Sequence, residues 1–286
     1  MSSTREMRLR IRSVKNLSQV TRALETVSAS KVRRAMQADL ATRPYSEKAR
    51  KVLVHLARQP VQNLHPLLTD REPVRKVAVL MISGDRGLAG AYNVNILRYT
   101  LQYFAKFEVP VAYVAVGRKG RDMLARRRKE LLAEFSQLPS PPSFMDVSMI
   151  GRLLMDEFVS QRVDEVYVAY TEFRTMLHQE PRVCKILPWE MEPGHGNSHS
   201  VFTYEPDSTE LINQIVPRFT AIQIYQAILS SQASEHAARM VAMRNATDNA
   251  MELIEELQLQ YNKARQQAIT NDMLDIVGGA NAQVQS

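Results

Sequence analysis

The residues of this sequence that could do chemistry are concentrated in one loop, Gly84-Asp85-Arg86-Gly87-Leu88-Ala89-Gly90. The loop follows the apolar run Val77 to Ile82 and precedes an amphipathic stretch, which is where a dinucleotide-binding sheet holds a pyrophosphate. Its glycines recur at three-residue intervals, however, and do not follow the G-x-G-x-x-G pattern. The second apolar run ends in Gly117-Arg118-Lys119 and not in an acidic residue. The spacing therefore favours a tight turn, with a dinucleotide-dependent enzyme as the weaker alternative.

No other group of residues suggests a reaction centre. His195 and His199 lie in a polar loop without a nearby carboxylate or cysteine, so solvated histidines are a better interpretation than a metal site. Cys184 is the only cysteine, which excludes a disulfide or a cysteine-rich metal site within the chain. No Ser/His/Asp, Cys/His or paired-carboxylate arrangement stands out. The sequence thus predicts no catalytic residue, no metal and no cofactor.

The glycine loop belongs to a central region in which predicted strands and helices alternate. Short apolar runs predict strands at 77–82, 110–116, 163–170 and 181–187. Amphipathic or basic stretches predict helices at 94–107, 118–128 and 146–159. This alternation is typical of a small open α/β sheet of mostly parallel strands, which we place within residues 74–190.

The C-terminal part of the chain predicts one very long helix. No glycine occurs from Thr209 to Val277, and Pro217 is the only proline there. At 1.5 Å per residue this helix would be roughly 100 Å long, about twice the diameter of roughly 50 Å expected of a compact chain of this length. We therefore expect a shaft that projects from a globular body. Its interface residues recur in steps of three and four, as in a coiled coil: Tyr225, Leu229, Ala233, His236, Met240, Met243, Thr247, Ala250, Ile254, Leu257, Tyr261, Ala264 and Ala268.

A second long helix is predicted at the N-terminus, where no helix breaker precedes Pro44 and a kinked continuation to Ala57 is possible. This segment is strongly basic, whereas the segment from Thr209 carries five basic and eight acidic residues. Opposite charge and matching stripes favour antiparallel pairing of the two ends. The predicted fold is a long antiparallel coiled coil of residues 1–58 and 208–286 with an inserted Rossmann-like α/β domain. The N-terminal stripe is predicted at Ile11, Val14, Leu17, Val20, Leu24, Val27, Val32, Ala35 and Met36.

Composition narrows the class of protein. The 286 residues carry a net charge of +7, but the basic residues surround a helix with an apolar face and lack interleaved aromatic residues. This pattern favours a solvated face or an acidic partner over nucleic acid, and leaves a coiled-coil adaptor or a nucleic-acid-binding protein as alternatives. No apolar run reaches the roughly eighteen residues that a membrane span needs, and the first residues lack the apolar stretch of a signal peptide. We expect a soluble chain that is at most peripheral to a membrane.

Four stretches are long enough to compare with known families. They read R-x-R-I-R-S-V-K-N-x-x-Q-V-T-R-A-L-E-T-V-S-A-S-K near the N-terminus, S-G-D-R-G-L-A-G-A-Y-N in the centre, S-E-H-A-A-R-M-V-A-M-R-N-A-T-D-N-A in the C-terminal helix, and L-Q-L-Q-Y-N-K-A-R-Q-Q-A-I-T-N-D-M-L-D-I-V-G-G-A in the tail. Together they resemble the gamma subunit of the F-type, proton-translocating ATP synthase. The resemblance extends from end to end of the chain.

The resemblance implies a rotor shaft that turns inside a ring of alternating alpha and beta subunits and couples proton flow to ATP synthesis or hydrolysis. It implies the alpha, beta and epsilon subunits and the membrane c-ring as partners, with no nucleic acid and no insertion into the membrane. It also implies a non-catalytic subunit at the cytoplasmic face of the bacterial cell membrane. Matched by motif, the implied contacts to alpha and beta subunits are Leu24, Arg239, Arg265, Gln266 and Thr270, and those to the c-ring are Phe202, Tyr204 and Glu205.

Overall fold

The computed structural model describes residues 4–56, 66–189 and 208–284. Residues 1–27 and 240–286 form one compact unit, here called the helix-pair unit, and residues 28–239 form a second, the sheet unit. Two long helices contribute to both units: α1 spans Thr4–Leu56 and α5 spans Ser208–Val284. Helix α1 continues through Pro44, as the sequence predicted. The domain limits placed at residues 58, 74, 190 and 208 stay a prediction.

The sheet unit contains a five-stranded sheet in the order β3-β2-β1-β4-β5. The first four strands are parallel, and β5 pairs with β4 in the antiparallel direction. The mostly parallel sheet predicted from the alternation of elements is therefore confirmed. The strands are β1 (Val77–Ile82), β2 (Val111–Val116), β3 (Glu130–Phe135), β4 (Glu165–Phe173) and β5 (Gln179–Leu187).

Helices cover both faces of this sheet. They are α2 (Tyr92–Phe104), α3 (Arg118–Arg126) and α4 (Phe144–Val159), with a 3₁₀ turn at Pro66–Leu68. Helix α4 begins with a capping box in which Ser143 and Asp146 satisfy each other's backbone N–H groups. Because β1 alternates its side chains between the faces, Leu80 and Ile82 pack with α4 and α5, while Val79 and Met81 pack with α2 and α3. All six residues of β1 are buried, as expected for the central strand of a three-layer fold.

Strand β3 is the element that the sequence analysis missed. Its sequence, Glu-Leu-Leu-Ala-Glu-Phe, consists mainly of good helix formers and has no β-branched residue. It lies at the sheet edge and begins only a few residues after α3 ends, so tertiary pairing with β2 decides its conformation. The other predicted strands and helices are confirmed with shifts of a few residues at their ends.

In the helix-pair unit, α1 and α5 run antiparallel. The hydroxyls of Thr21 and Thr247 lie 2.7 Å apart, and the Arg8 guanidinium donates a hydrogen bond to the Tyr261 hydroxyl. Low residue numbers on one helix thus meet high numbers on the other, which confirms the predicted direction of pairing. The predicted C-terminal stripe is confirmed at Met243, Thr247, Ala250 and Leu257, which are buried, but not at Ala268, which is exposed.

The predicted N-terminal stripe is confirmed in part: Val32 and Ala35 are buried, and Ile11, Val14, Leu24 and Met36 are half-buried. Leu17, Val20 and Val27 are 57%, 57% and 52% exposed and do not belong to the interface. At these three positions the inward residues are the next ones along the chain, which lie about 100° further around an α-helix. They include Ser18, half-buried, and Thr21, buried. Small hydroxyl side chains let the two backbones approach closely, and an apolar pattern alone does not reveal such an interface.

None of the described helices is both long and apolar enough to cross a membrane.

Candidate functional site

The strand order defines a crevice at the carboxyl ends of β1 and β4. The chain moves from β1 outward through β2 to β3 and then returns to the other side of β1 with β4. Open α/β sheets bind ligands at such a switch point, outside the carboxyl ends of the strands. From this geometry, a ligand site in the sheet unit is expected at the crevice.

Helix α5 occupies this crevice with three serines. The Ser231 hydroxyl lies 2.7 Å from the Tyr92 hydroxyl at the start of α2, and Ser234 donates a hydrogen bond of 3.1 Å to the Thr171 carbonyl on β4. The Ser230 hydroxyl accepts a bond of 2.9 Å from the backbone N–H of Phe173. We call these six residues the serine clamp. It joins α5 to α2 and β4 through direct hydrogen bonds.

The centre of the clamp is buried, and its Tyr92 hydroxyl stays protonated at physiological pH. Ser231 and Ser234 are fully buried, and Tyr92 is 6% exposed. Burial, with a smaller effect of the Glu235 carboxylate, raises the pKa of Tyr92 well above its usual range. The tyrosine therefore keeps its proton and donates to the Ser231 backbone carbonyl at 3.1 Å. Such a group serves as a fixed hydrogen-bond donor and not as a proton-transfer group.

The glycine loop is held by contacts within the chain. The Asp85 carboxylate accepts hydrogen bonds from the backbone N–H groups of Arg118 at 3.0 Å and Gln137 at 2.8 Å. Arg118 is the first residue of α3, so a carboxylate of the chain lies at the helix N-terminus, where a phosphate would bind in a nucleotide site. The N–H of Gly84 donates to the side chain of Asn93 at 2.9 Å. These contacts agree with the tight-turn interpretation of the loop.

Arg239 is bonded inside the sheet unit. Its guanidinium donates to the Glu235 carboxylate at 2.5 Å and to the Gly87 carbonyl at 3.3 Å, and its side chain is 11% exposed. The arginine, predicted from the resemblance to contact a beta subunit, thus ties the glycine loop to α5. A partner can still meet its exposed edge, and that contact stays a prediction.

His236, three residues before Arg239 on the same helix, is buried and neutral. Arg239 donates to its Nδ1 atom at 3.2 Å, so the ring proton lies on Nε2 and is donated to the Ser140 hydroxyl at 2.8 Å. Burial, followed by the charges of Arg239 and Lys31, lowers the pKa of His236 to about 3. A cavity of about 400 Å³ adjoins this group and is lined by charged side chains of both signs, among them Lys31, Asp85, Arg118, Glu235 and Arg239.

The remaining predicted contact residues differ in where they lie. Arg265, Gln266 and Thr270 are exposed on α5 in the helix-pair unit, and Leu24 of α1 is half-buried there. Phe202, Tyr204 and Glu205 lie outside the described residues, as do His195 and His199. Within the described ranges, no group of three His, Cys, Asp or Glu side chains could hold a metal ion.

The serine clamp was not among the sites predicted from the sequence. A signal for it exists in the run Ser230-Ser231-Gln232-Ala233-Ser234, which places small hydroxyls on the inner side of a helix that is otherwise apolar there. Their partners are a tyrosine at residue 92 and strand residues near 171, far away in sequence. Only the folded sheet brings these groups together.

Comparison with known proteins places this architecture in one family. A family model described as ATP synthase matches residues 3–283. The chain is 47% identical to the ATP synthase gamma chain of Dehalococcoides mccartyi and 45% identical to that of Roseiflexus castenholzii, with 99% of each chain covered in both cases. The chain therefore belongs to the ATP synthase family, among its gamma chains.

Solved structures agree at the level of the fold. A chain in the cryo-EM structure of the Euglena gracilis mitochondrial ATP synthase, OSCP/F1/c-ring, rotational state 3, matches with a TM-score of 0.69 at 20% identity. The match covers 98% of this chain and 94% of that chain. The gamma-chain interpretation is thus favoured over a coiled-coil adaptor, a nucleic-acid-binding protein or a dinucleotide-dependent enzyme.

Proposed function

We propose that this protein is the central-stalk rotor of an F-type ATP synthase. In this role it couples proton flow through the membrane c-ring to ATP synthesis or hydrolysis at the beta subunits by turning inside the alpha/beta hexamer. Its partners are the alpha, beta and epsilon subunits and the c-ring. The observation that carries the proposal is the antiparallel pairing of the two chain ends in a chain that aligns with gamma chains over 99% of its length.

The outer surface of the helix-pair unit fits a shaft enclosed by other subunits. It exposes more large apolar side chains than a free helix pair in water would favour, and such surfaces mark interaction sites. Apolar contacts are nondirectional, so they can be exchanged during turning without breaking fixed hydrogen bonds. The side chains are Leu9, Leu17, Val20 and Val27 on α1, and Met251, Leu253, Leu259, Ile269, Met273, Leu274, Ile276 and Val277 on α5.

A rotor also needs contacts that depend on its angle. A partner that interacts equally with every rotational state cannot shift the beta sites between states. We assign such contacts first to Arg265 and its neighbours Gln266 and Thr270, which are exposed. Arg239 and Leu24 are proposed as further contacts to the alpha/beta ring, and Arg239 has the smaller free surface because of its bonds to Glu235 and Gly87.

The segment that follows β5 is proposed to meet the membrane ring. Phe202, Tyr204 and Glu205 are the residues assigned to the c-ring, and they follow β5 in the chain. In this arrangement the protein is a non-catalytic subunit at the cytoplasmic face of a bacterial cell membrane, and the active sites lie on the beta subunits. The serine clamp would then hold the sheet unit to the helix that carries torque.

Replacing Arg265 with alanine in the assembled, membrane-bound complex tests the function. Assembly with alpha and beta subunits should be retained, since one exposed charge contributes little to a large interface. We expect proton-driven ATP synthesis and rotational torque to fall several-fold, because an angle-dependent contact has been removed. Both can be measured, in reconstituted vesicles and by single-molecule rotation.

Lys263→Ala is a matched control for this experiment. Lys263 is also exposed on α5, loses the same charge, and lies two positions away, about 200° around the helix. We expect its variant to behave like the wild type. Unchanged synthesis rate and torque in Arg265→Ala would contradict the proposed contact, and a chain that does not coassemble with alpha and beta subunits would contradict the proposed function.

A further inference from the structure

Four consecutive basic residues are exposed at the end of α3 and in the turn that leads to β3. We call Arg126, Arg127, Arg128 and Lys129 the basic turn, and all four are exposed. Its backbone is fixed to α3, because Arg127 and Lys129 donate N–H bonds to the Leu124 carbonyl at 3.0 and 3.2 Å. Arg128 likewise donates to the Ala125 carbonyl at 2.9 Å. The charges are therefore displayed on a rigid support.

The basic turn is not neutralised by the described part of the chain. Nearby cations have carboxylate partners: Arg121 pairs with Asp122 and Glu134, and Lys76 pairs with Glu130 at 2.6 Å. Among the described residues, none of the four side chains of the basic turn forms an ion pair. The C-terminus of α3 offers a partial charge of only about −0.5. Four positive charges thus remain available for an external anionic surface.

The register of the sheet shows at which end of the strands the basic turn lies. In the sheet register, Glu130 lies opposite Ala112, Val77 opposite both Val111 and Glu165, and Val166 opposite Leu187. The first residue of β3 and the last residue of β5 therefore lie at the same end of the strands, where the four parallel strands begin. Phe202, Tyr204 and Glu205, the residues proposed to meet the c-ring, follow β5 in the sequence.

We propose that the basic turn contacts anionic phospholipid headgroups at the membrane surface. This inference rests on the proposed function, which makes the protein a peripheral subunit at a membrane and assigns the segment after β5 to the c-ring. Exposed clusters of Lys and Arg bind anionic bilayers with about 1 kcal/mol per residue, which corresponds to roughly fivefold in affinity for each charge. Lipid fits better than a stationary protein partner because a turning subunit can slide over mobile headgroups, whereas a fixed ion pair would hold it at one angle.

The test mixes the assembled headpiece of alpha, beta, gamma and epsilon subunits with vesicles of two compositions. One is phosphatidylcholine alone, and the other is phosphatidylcholine with about 30% phosphatidylglycerol, which is anionic. We expect the headpiece to cosediment with the anionic vesicles only, with strong dependence on salt. Replacing all four residues of the basic turn with serine should lower this binding by roughly a hundredfold or more. Replacing Arg126, Arg127 and Arg128 with lysine should preserve it, because the charge is kept.

A control variant removes the same charge elsewhere. Combining Arg86→Ser, Arg98→Ser, Lys119→Ser and Arg152→Ser, at exposed positions elsewhere in the sheet unit, should leave vesicle binding unchanged. Equal loss in both serine variants, or no binding by the wild type, would overturn the lipid contact. So would a basic-turn variant that binds vesicles normally but loses binding to purified c-ring in detergent, since that result would identify an acidic protein partner. Normal coassembly and ATP hydrolysis in each case would leave the proposed function standing.

Discussion

Gly117 joins the end of β2 to α3 and has a backbone φ of +91°. A Cβ atom at this position would lie 2.3 Å from the backbone oxygen of Ser83, which cannot move without disturbing β1. The close approach lets Ser83 donate from its hydroxyl to the Val116 carbonyl and accept from the N–H of Gly120, both at 2.9 Å. At this residue, glycine is required by the backbone conformation and by the space available.

We expect Gly117→Ala to destabilise the protein by more than about 2 kcal/mol, because the substitution combines a left-handed backbone with a backbone clash. Urea unfolding of the full chain measures the loss. Gly87→Ala is the matched control: only the end of the Lys119 side chain approaches the new Cβ, at 4.0 Å. Its effect should stay within about 0.5 kcal/mol. Similar stabilities of the two variants would refute the steric argument.

At the scale of elements, the sequence predicts those strands and helices whose conformation depends on the local pattern of apolar residues. The β1 run, the length of α5 and its interface from Met243 onward follow from apolar spacing and the absence of helix breakers. Strand β3 could not be predicted, because its residues favour a helix and only pairing with β2 makes it a strand. The serine clamp joins residues 92, 171 and 231, whose proximity is a property of the folded sheet.

Helix α5 packs on the chain before α4 through His236, and this packing should depend on pH. The pKa of His236 is about 3 in the folded chain, against about 6.5 for an unperturbed histidine. Below pH 6.5 the unfolded chain therefore binds a proton that the folded chain does not. The free energy of unfolding should fall by up to about 1.4 kcal/mol per pH unit between pH 6.5 and 3 from this residue alone.

The contribution of His236 can be separated from that of the carboxyl groups by substitution. We expect His236→Gln to have a flatter stability profile than the wild type between pH 7 and 4, measured by urea unfolding of the full chain. His178→Gln, at an exposed histidine in the β4–β5 connection, should reproduce the wild-type profile. Parallel profiles for His236→Gln and the wild type would show that this histidine is protonated as easily in the folded chain as in the unfolded one.

For the whole molecule, the serine clamp is the route by which we expect force to pass between the sheet unit and α5. Packing of apolar faces resists separation but opposes sliding only weakly, because its contacts are nondirectional. Directed hydrogen bonds between three serines of α5 and the residues Tyr92, Thr171 and Phe173 resist sliding along and around the helix. If the rotor transmits torque from the c-ring through the sheet unit, this connection should limit the load it can bear.

Tyr92→Phe tests this mechanical role without changing the shape of the core. The variant removes a hydroxyl that meets both the carbonyl and the hydroxyl of Ser231, at a cost of about 1–3 kcal/mol because Ser231 is fully buried. We expect ATP hydrolysis without load to be unchanged, while ATP-driven rotation against viscous drag stalls at lower torque. Tyr99→Phe, on the same helix but 39% exposed, should rotate like the wild type under every load. Equal stall torques for the two variants would mean that the apolar packing alone carries the force and that the serine clamp only positions α5.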